Sequence, residues 1–173
     1  MDSVIVRPIE TRDIDAFHAL VDSVAREKKY LAMTRAPAIS EVRDFVRGNL
    51  ARGEPQFVAE HEGVLVGWAD LLVRPRQTTQ HTGALGMGVA REFRGQGVGR
   101  KLLQAIIERG WEIGLKRIEL EVFVDNHRAI RLYESLGFQP EGRAACARLI
   151  DGRYLDIYRM GLLHADLTGQ GGE

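Results

Sequence analysis

The stretch Arg94-Gly95-Gln96-Gly97-Val98-Gly99 decides the fold, because it places three alternating glycines directly before an apolar helical pattern. Glycine tolerates positive φ, so this backbone can turn sharply and leave its N–H groups free to face one ligand. Apolar residues then recur at the spacing of a helix that rests one face on a sheet, at Leu102, Leu103, Ile106, Ile107 and Ile113. The helix therefore starts at the glycines, where unpaired N–H groups and the helix dipole favour a phosphate group.

Basic residues surround these glycines, and we expect Arg94, Arg100 and Lys101 to add positive charge for phosphate groups. Spacing excludes two other glycine-rich motifs. A Walker loop has a glycine, four further residues and then Gly-Lys-Ser/Thr, and no window here supplies that pattern. The dinucleotide fingerprint Gly-x-Gly-x-x-Gly would need its third glycine where the chain has Arg100 or Leu102. The pattern that remains is Arg-x-x-Gly-x-Gly, from Arg94 to Gly99.

A second pattern lies downstream, Asn-x-x-Ala-x-x-x-Tyr-x-x-x-Gly-Phe, with its fixed positions at Asn126, Ala129, Tyr133, Gly137 and Phe138. Together the two patterns resemble those of the GNAT superfamily of acyl-CoA-dependent N-acyltransferases. The resemblance covers residues 83–163 well, and the first eighty residues in their order of elements. It implies one α/β domain over residues 1–165, with a mixed central sheet of about seven strands and helices on both faces. Residues 166–173 are predicted to be a disordered tail.

Apolar spacing and turn residues predict the individual elements. Strands are expected at 4–7, 56–60, 65–73, 84–89, 118–124, 143–149 and 154–162. Helices are expected after Thr11 or Asp13, after Ser40 and after Asn126, each of which can cap a helix, with Gly137 ending the last one. Gly86 and Gly88 lie inside a strand, and they have two interpretations. They mark either a bulge or a close approach of a ligand, or else they allow close packing against a bulky neighbour.

Composition narrows the range of partners. Lysine plus arginine and aspartate plus glutamate both number 24, so no net charge recruits nucleic acid or an anionic membrane. One cysteine, Cys146, cannot form an internal disulfide, and no signal or long apolar segment is apparent, which predicts a cytoplasmic protein. The five histidines lack metal-ligand spacing, so no metal is expected.

The resemblance implies which residues bind acetyl-CoA, the expected acyl donor. The family's phosphate-binding positions fall on Arg94, Gly95, Gln96, Gly97, Val98, Gly99, Arg100 and Lys101. Free backbone N–H groups at Met87, Gly88 and Val89 would polarise the thioester carbonyl, where the family separates its two central strands. Asn126 is mainly a helix cap that also touches the donor.

The resemblance also implies attack of a primary amine on the thioester, and Tyr133 is the candidate general acid for the leaving thiolate. The amine must lose a proton, and the candidate bases are two carboxylates on one face of a strand, Glu121 ahead of Glu119. The expected acceptor is a small molecule or an amino acid. The alternatives are a protein N-terminal or lysine amine, and a non-catalytic CoA-binding sensor or interaction module. A homodimer is a further possibility.

Segments without a recognisable motif would determine which acceptor is used. These are residues 26–40, 74–82 and 143–154.

Overall fold

The structure, a computed structural model, describes residues 4–168 and contains a seven-stranded mixed sheet in the order β1-β2-β3-β4-β5-β7-β6. The strands are β1 Ile5–Pro8, β2 Gln56–His61, β3 Val64–Val73, β4 Thr82–Val89, β5 Arg117–Phe123, β6 Gln139–Ile150 and β7 Arg153–Leu163. The helices are α1 Ile14–Ala25, α2 Ile39–Arg52, α3 Val98–Glu112, α4 His127–Ser135 and the single turn α5 Ala165–Thr168. The predicted fold class is confirmed.

Helices cover both faces of the sheet. One core cluster joins α1 and α2 to the sheet and includes Phe17, Val46 and Trp68. The other joins α3 and α4 to the opposite face and includes Leu102 and Tyr133. In β5 the residues Ile118, Leu120 and Val122 belong to this second cluster. Because side chains alternate along a strand, Glu119 and Glu121 lie on the other face of the sheet, which α1 and α2 cover.

The two central strands open a cleft. β4 and β5 are parallel, and their pairing joins Thr82, Gly83 and Ala84 to Arg117, Ile118 and Glu119. Beyond these three positions the strands diverge, and a cavity occupies the space between them. The resemblance placed the separation of the two central strands near residues 87–89, and in the structure their pairing ends at Ala84.

Gly86 and Gly88 pack closely against side chains of β3, whose register with β4 is regular from Gly67 to Val73. A Cβ on Gly88 would lie 2.2 Å from the Trp68 ring, and one on Gly86 would lie 2.9 Å from Asp70 Oδ1. The packing interpretation therefore holds for both. Both also line the cavity, so ligand access at the same residues is compatible with it.

The sequence pattern predicted the positions of the helices more accurately than the residues that cap them. Asn126 caps α4 by accepting a hydrogen bond from the Ala129 N–H, as predicted. Ser40 was a wrong cap for α2, because it lies inside the first turn and Ala38 is the N-cap. Asp13 precedes α1, but its carboxylate binds Arg7 and the Glu10 N–H rather than the first turn of α1.

The C-terminal expectation was partly wrong. Residues 165–168 form the turn α5, in which Asp166 accepts a hydrogen bond from Lys116 at 2.5 Å. The rest of the predicted tail, residues 169–173, lies outside the described residues. From residue 4 to 168, no helix has both the length and the apolar character needed to span a membrane.

Candidate active site

A cavity of about 1020 Å³ passes through the cleft between β4 and β5. One end, the loop end, is formed by the glycines before α3 and by the start of α4. The other end, the arginine end, is formed by charged side chains from β5, β6 and β7 and from the loop after β3. The α1–α2 connection covers one side with residues 30–33.

The backbone before α3 is open toward the loop end. Gly95 and Gly97 have φ of 76° and 85°, and a Cβ on either would meet no atom within 4 Å. Within the described chain, N–H groups of residues 95–100 donate to no backbone carbonyl, since the first helical bond there runs from Lys101 to Gly97. Unpaired N–H groups at a helix start, with open space before them, fit a phosphate group.

Arg94 does not project freely toward the loop end. Its guanidinium binds both carboxylate oxygens of Glu27 at 2.6 and 2.9 Å and the Val89 carbonyl at 2.8 Å. It also stacks on the Tyr30 ring at 4.4 Å. These contacts hold the pKa of Glu27 below its usual value. The side-chain charge of Arg94 is therefore already paired, and it joins the glycine loop to the end of α1.

The other residues predicted around the loop separate into two groups. Arg100 lines the cavity and donates to the Ser135 hydroxyl at 2.8 Å. Gln96 binds the Glu92 carbonyl at 2.6 Å, Val98 is a core residue, and Lys101 is exposed outside the cavity wall. For these last three, a contact with a ligand would be made by the backbone or by a rearranged side chain.

Met87, Gly88 and Val89 line the cavity on the β4 side, opposite α4, where Asn126 and Tyr133 line it. The Tyr133 ring is 7% exposed and packs against Phe138 with ring centroids 5.7 Å apart. Burial raises the pKa of Tyr133, so the phenol keeps its proton at neutral pH. A protonated phenol in the cavity wall can donate a hydrogen bond or a proton.

Glu119 and Glu121 both line the cavity, and each contacts a different pair of arginines. Glu119 Oε1 accepts from Arg74 at 2.5 Å, and its Oε2 is 3.5 Å from Arg117. Glu121 Oε2 pairs with Arg148, and its Oε1 is 3.5 Å from Arg159. Each carboxylate thus has one strongly engaged oxygen and one looser oxygen. Each carboxylate is therefore paired with arginine side chains and not with the other carboxylate.

Sequence reasoning missed the arginines of this end. Arg74 and Arg148 lie in two segments that were assigned to acceptor choice, but no motif marked them. Arg117 also pairs with Glu141, at 2.7 Å from Nη1 to Oε1. Strand alternation placed Glu119 and Glu121 on one face, and the same rule applied to β7 would have placed Arg159 beside them, since Arg159 pairs with Glu121 in register.

Two ion pairs fix the α1–α2 connection over the cavity. Glu27 binds Arg94 of the glycine loop, and the next residue, Lys28, binds Asp151 in the β6–β7 turn at 2.8 Å. The first pair is mostly buried, with side chains 14% and 24% exposed, whereas the second is 42% and 65% exposed. Among the described residues, no cluster of three or more histidine, cysteine or acidic side chains could hold a metal ion.

The profile of the acetyltransferase (GNAT) family matches residues 18–138. The L-amino acid N-acetyltransferase AaaT of Escherichia coli K12 is 32% identical over 162 residues, which covers 92% of this chain and 98% of that protein. The structure of ribosomal-protein-alanine N-acetyltransferase from Brucella melitensis superposes with a TM-score of 0.87 at 26% identity, covering 92% and 99% of the two chains.

A third similarity concerns the fold. The structure of yncA, a putative acetyltransferase from Salmonella typhimurium solved with acetyl-CoA, superposes with a TM-score of 0.87 at 24% identity. The alignment covers 94% of this chain and 96% of that one.

Proposed function

Because the chain belongs to the acetyltransferase (GNAT) family and uses acetyl-CoA as its donor, we propose that it acetylates the primary amine of a small zwitterion, such as an L-amino acid. The charge at the arginine end carries this proposal. Four guanidinium groups and three carboxylates line that end, so both charge signs are present with an excess of positive charge. An acceptor with one ammonium and one carboxylate group matches this arrangement.

The donor would be held at the loop end. When bound, acetyl-CoA supplies an activated acetyl thioester. The N–H groups of residues 95–100 fit its phosphate groups, and the Arg100 side chain adds a charge beside them. Asn126 lies in the same wall. We propose the backbone N–H groups of Met87 and Val89 as the donors that stabilise developing negative charge on the carbonyl oxygen. In the antiparallel ladder with β3 these two residues alternate with Gly88 and Ala90, which bond to β3, so their N–H groups face the cleft.

Tyr133 would protonate the leaving sulfur. Tyr133 lines the cavity from α4, and burial keeps its phenol protonated. A thiolate departs more readily when a nearby acid donates to it, because an ordinary thiol has a pKa of about 8.5. The phenol must hold its proton until the carbon–sulfur bond breaks and then give it to sulfur, and burial supports the first of these two requirements.

The two carboxylates on β5 would attract the ammonium form of the acceptor. Glu121 is the more accessible, with a side chain 41% exposed against 29% for Glu119, and its Oε1 has the looser arginine contact. Taking a proton would require Glu121 to give up its pairing with Arg148. The geometry thus favours Glu121 over Glu119 as the acceptor's ammonium contact, and its role as base stays a prediction.

Matched acceptors test the proposal. Release of free CoA thiol from acetyl-CoA is measured for several L-amino acids, for their amides and for the corresponding decarboxylated amines. We expect kcat/KM to fall at least tenfold when the carboxylate is removed, because an arginine contact is lost. A decarboxylated amine that reacts as well as its amino acid would contradict the zwitterion assignment, and no release from any amine would contradict the acetyltransferase assignment to small molecules.

A protein N-terminus is a second candidate acceptor, and the similarity to a ribosomal-protein-alanine N-acetyltransferase supports its inclusion. A peptide N-terminus carries an ammonium group but no adjacent carboxylate. Short peptides belong in the same panel, and a peptide that reacts faster than the free amino acid would favour this candidate. Light scattering of the same preparation tests whether the protein forms a homodimer, the further possibility raised by the sequence.

A further inference from the structure

Asp70 is a buried carboxyl group close to the cavity that neither motif includes. It lies in the middle of β3 and is 7% exposed. Among the described residues, no group donates a hydrogen bond to the Asp70 carboxylate and no cation is paired with it. Buried carboxylates are normally hydrogen-bonded or paired, since leaving one unpaired costs stability. A group retained in this state is a candidate for a functional role.

Asp70 lies in a row of residues that crosses the sheet to the cleft. Its register partners are Gln56 on β2 and Gly86 on β4. On β5 the partner of Ala84 is Glu119, so two residues further along Glu121 continues the row across the cleft. Partners in register share a face of a sheet. Asp70 and Glu121 therefore lie on the same face, on opposite sides of the opening.

Asp70 does not itself line the cavity, and Gly86 is the residue that lies between its carboxyl group and the cavity. Asp70 Oδ1 is 2.9 Å from the position that a Cβ on Gly86 would occupy, so the carboxyl group leans over β4. Gly86 itself lines the cavity. Neighbouring strands are about 4.8 Å apart, so an amine held over the cleft beside Gly86 would be within reach of Asp70. Any larger residue at 86 would fill the space between them.

We propose that Asp70 accepts the proton from the acceptor's ammonium group, an assignment that rests on the proposed N-acetyltransferase function. An N–H bond of the ammonium breaks and an O–H bond forms on Asp70, which leaves a neutral amine. The nitrogen lone pair then forms a bond to the acetyl carbon, and the carbon–sulfur bond breaks with its electron pair on sulfur. Tyr133 protonates sulfur, the second proton of the nitrogen passes through solvent to restore Tyr133, and Asp70 returns its proton to solvent, so that one net proton is released.

The electrostatic surroundings of Asp70 suit a base at neutral pH. Burial, and next the charge of Glu54, raise the pKa of Asp70 to about 7. Glu54 is itself paired with Arg52 at 3.0 Å, and Arg52 also binds Asn49, so this guanidinium does not reach Asp70. The neighbour on β2, Gln56, is uncharged and has a buried Nε2 with no partner among the described residues. A base is most effective when its pKa lies near the working pH.

The test is the pH dependence of kcat/KM for Asp70→Asn, with acetyl-CoA affinity measured by calorimetry. In the native protein we expect the acid limb near pH 7. The variant should lose about 100-fold in kcat/KM at pH 7, bind the donor normally, and shift its acid limb toward the pKa of the acceptor's own amine. Asp13→Asn is the matched control, because Asp13 is also buried but pairs with Arg7 outside the cavity. It should leave the pH profile unchanged.

Three outcomes would overturn the assignment. These are a native-like acid limb in Asp70→Asn, a rate within threefold of the native rate, or loss of donor binding in parallel with the rate. If the variant does not fold, Glu54→Gln decides, since removing that charge should move the acid limb to lower pH and an unmoved limb excludes Asp70. Absence of turnover in the native protein on every amine would instead contradict the proposed function.

Discussion

Replacing Asp70 by asparagine should stabilise the protein at alkaline pH while impairing its activity. Burial raises the pKa of this carboxyl from 3.8 to about 7. The folded state therefore binds the proton more tightly than the unfolded state, so stability is greatest when Asp70 is protonated and falls as pH rises toward 7. Each tenfold difference in proton affinity corresponds to about 1.4 kcal/mol, so the ionised group costs the folded state about 4 kcal/mol above pH 7.

About 2 to 3 kcal/mol of this cost arises between pH 5 and pH 8, because the unfolded chain is already ionised at pH 5. Thermal denaturation of both proteins at these two pH values measures it. Relative to the native protein, Asp70→Asn should gain about 5 to 10 °C in Tm on going from pH 5 to pH 8. Comparing the two pH values removes the pH-independent effect of an asparagine at this site. A constant difference in Tm would show that Asp70 is ionised at both pH values, and would refute the reasoning.

Three further predictions concern the cavity wall. Tyr133→Phe should lower kcat by about tenfold or more with unchanged acetyl-CoA affinity in calorimetry, and unaltered turnover would remove Tyr133 from the mechanism. Gly97→Val should abolish donor binding, because a β-branched residue opposes φ of 85° and projects into the open space before α3; donor binding at native affinity would contradict the proposed phosphate site. Glu27→Gln should raise the acceptor KM several-fold, because the α1–α2 connection loses its contact with Arg94; steady-state kinetics with an unchanged KM would show that this contact does not position the wall.

The sequence predicted what depends on local spacing. Alternating glycines before an apolar stripe placed the start of α3, and the Asn126 cap placed α4, because both signals lie within a few residues of the structure they determine. The sequence did not predict which side chains from distant segments pair with one another. Arg94 looked like a free phosphate ligand, yet it binds Glu27, which is 67 residues earlier.

Asp70 was missed for a related reason. A single acidic residue within an apolar strand does not reveal whether a cation, a hydrogen-bond donor or a glycine lies opposite. The answer depends on the register of β3 with β2 and β4, which places Gln56 and Gly86 beside it. Register is determined by the whole sheet, so this part of the candidate site required the structure.

The ion pair Glu27–Arg94 is more buried than the ion pair Lys28–Asp151, and this difference should affect the exchange of ligands. Dissolved salt screens an exposed pair far more than a buried one, so Lys28–Asp151 weakens with ionic strength while Glu27–Arg94 persists. Thermal fluctuations should therefore separate the α1–α2 connection from the β6–β7 turn before they separate it from the glycine loop. Acceptor entry and product escape on that side would accelerate with added salt, and the residence time of the coenzyme would depend on salt mainly through its own phosphate contacts.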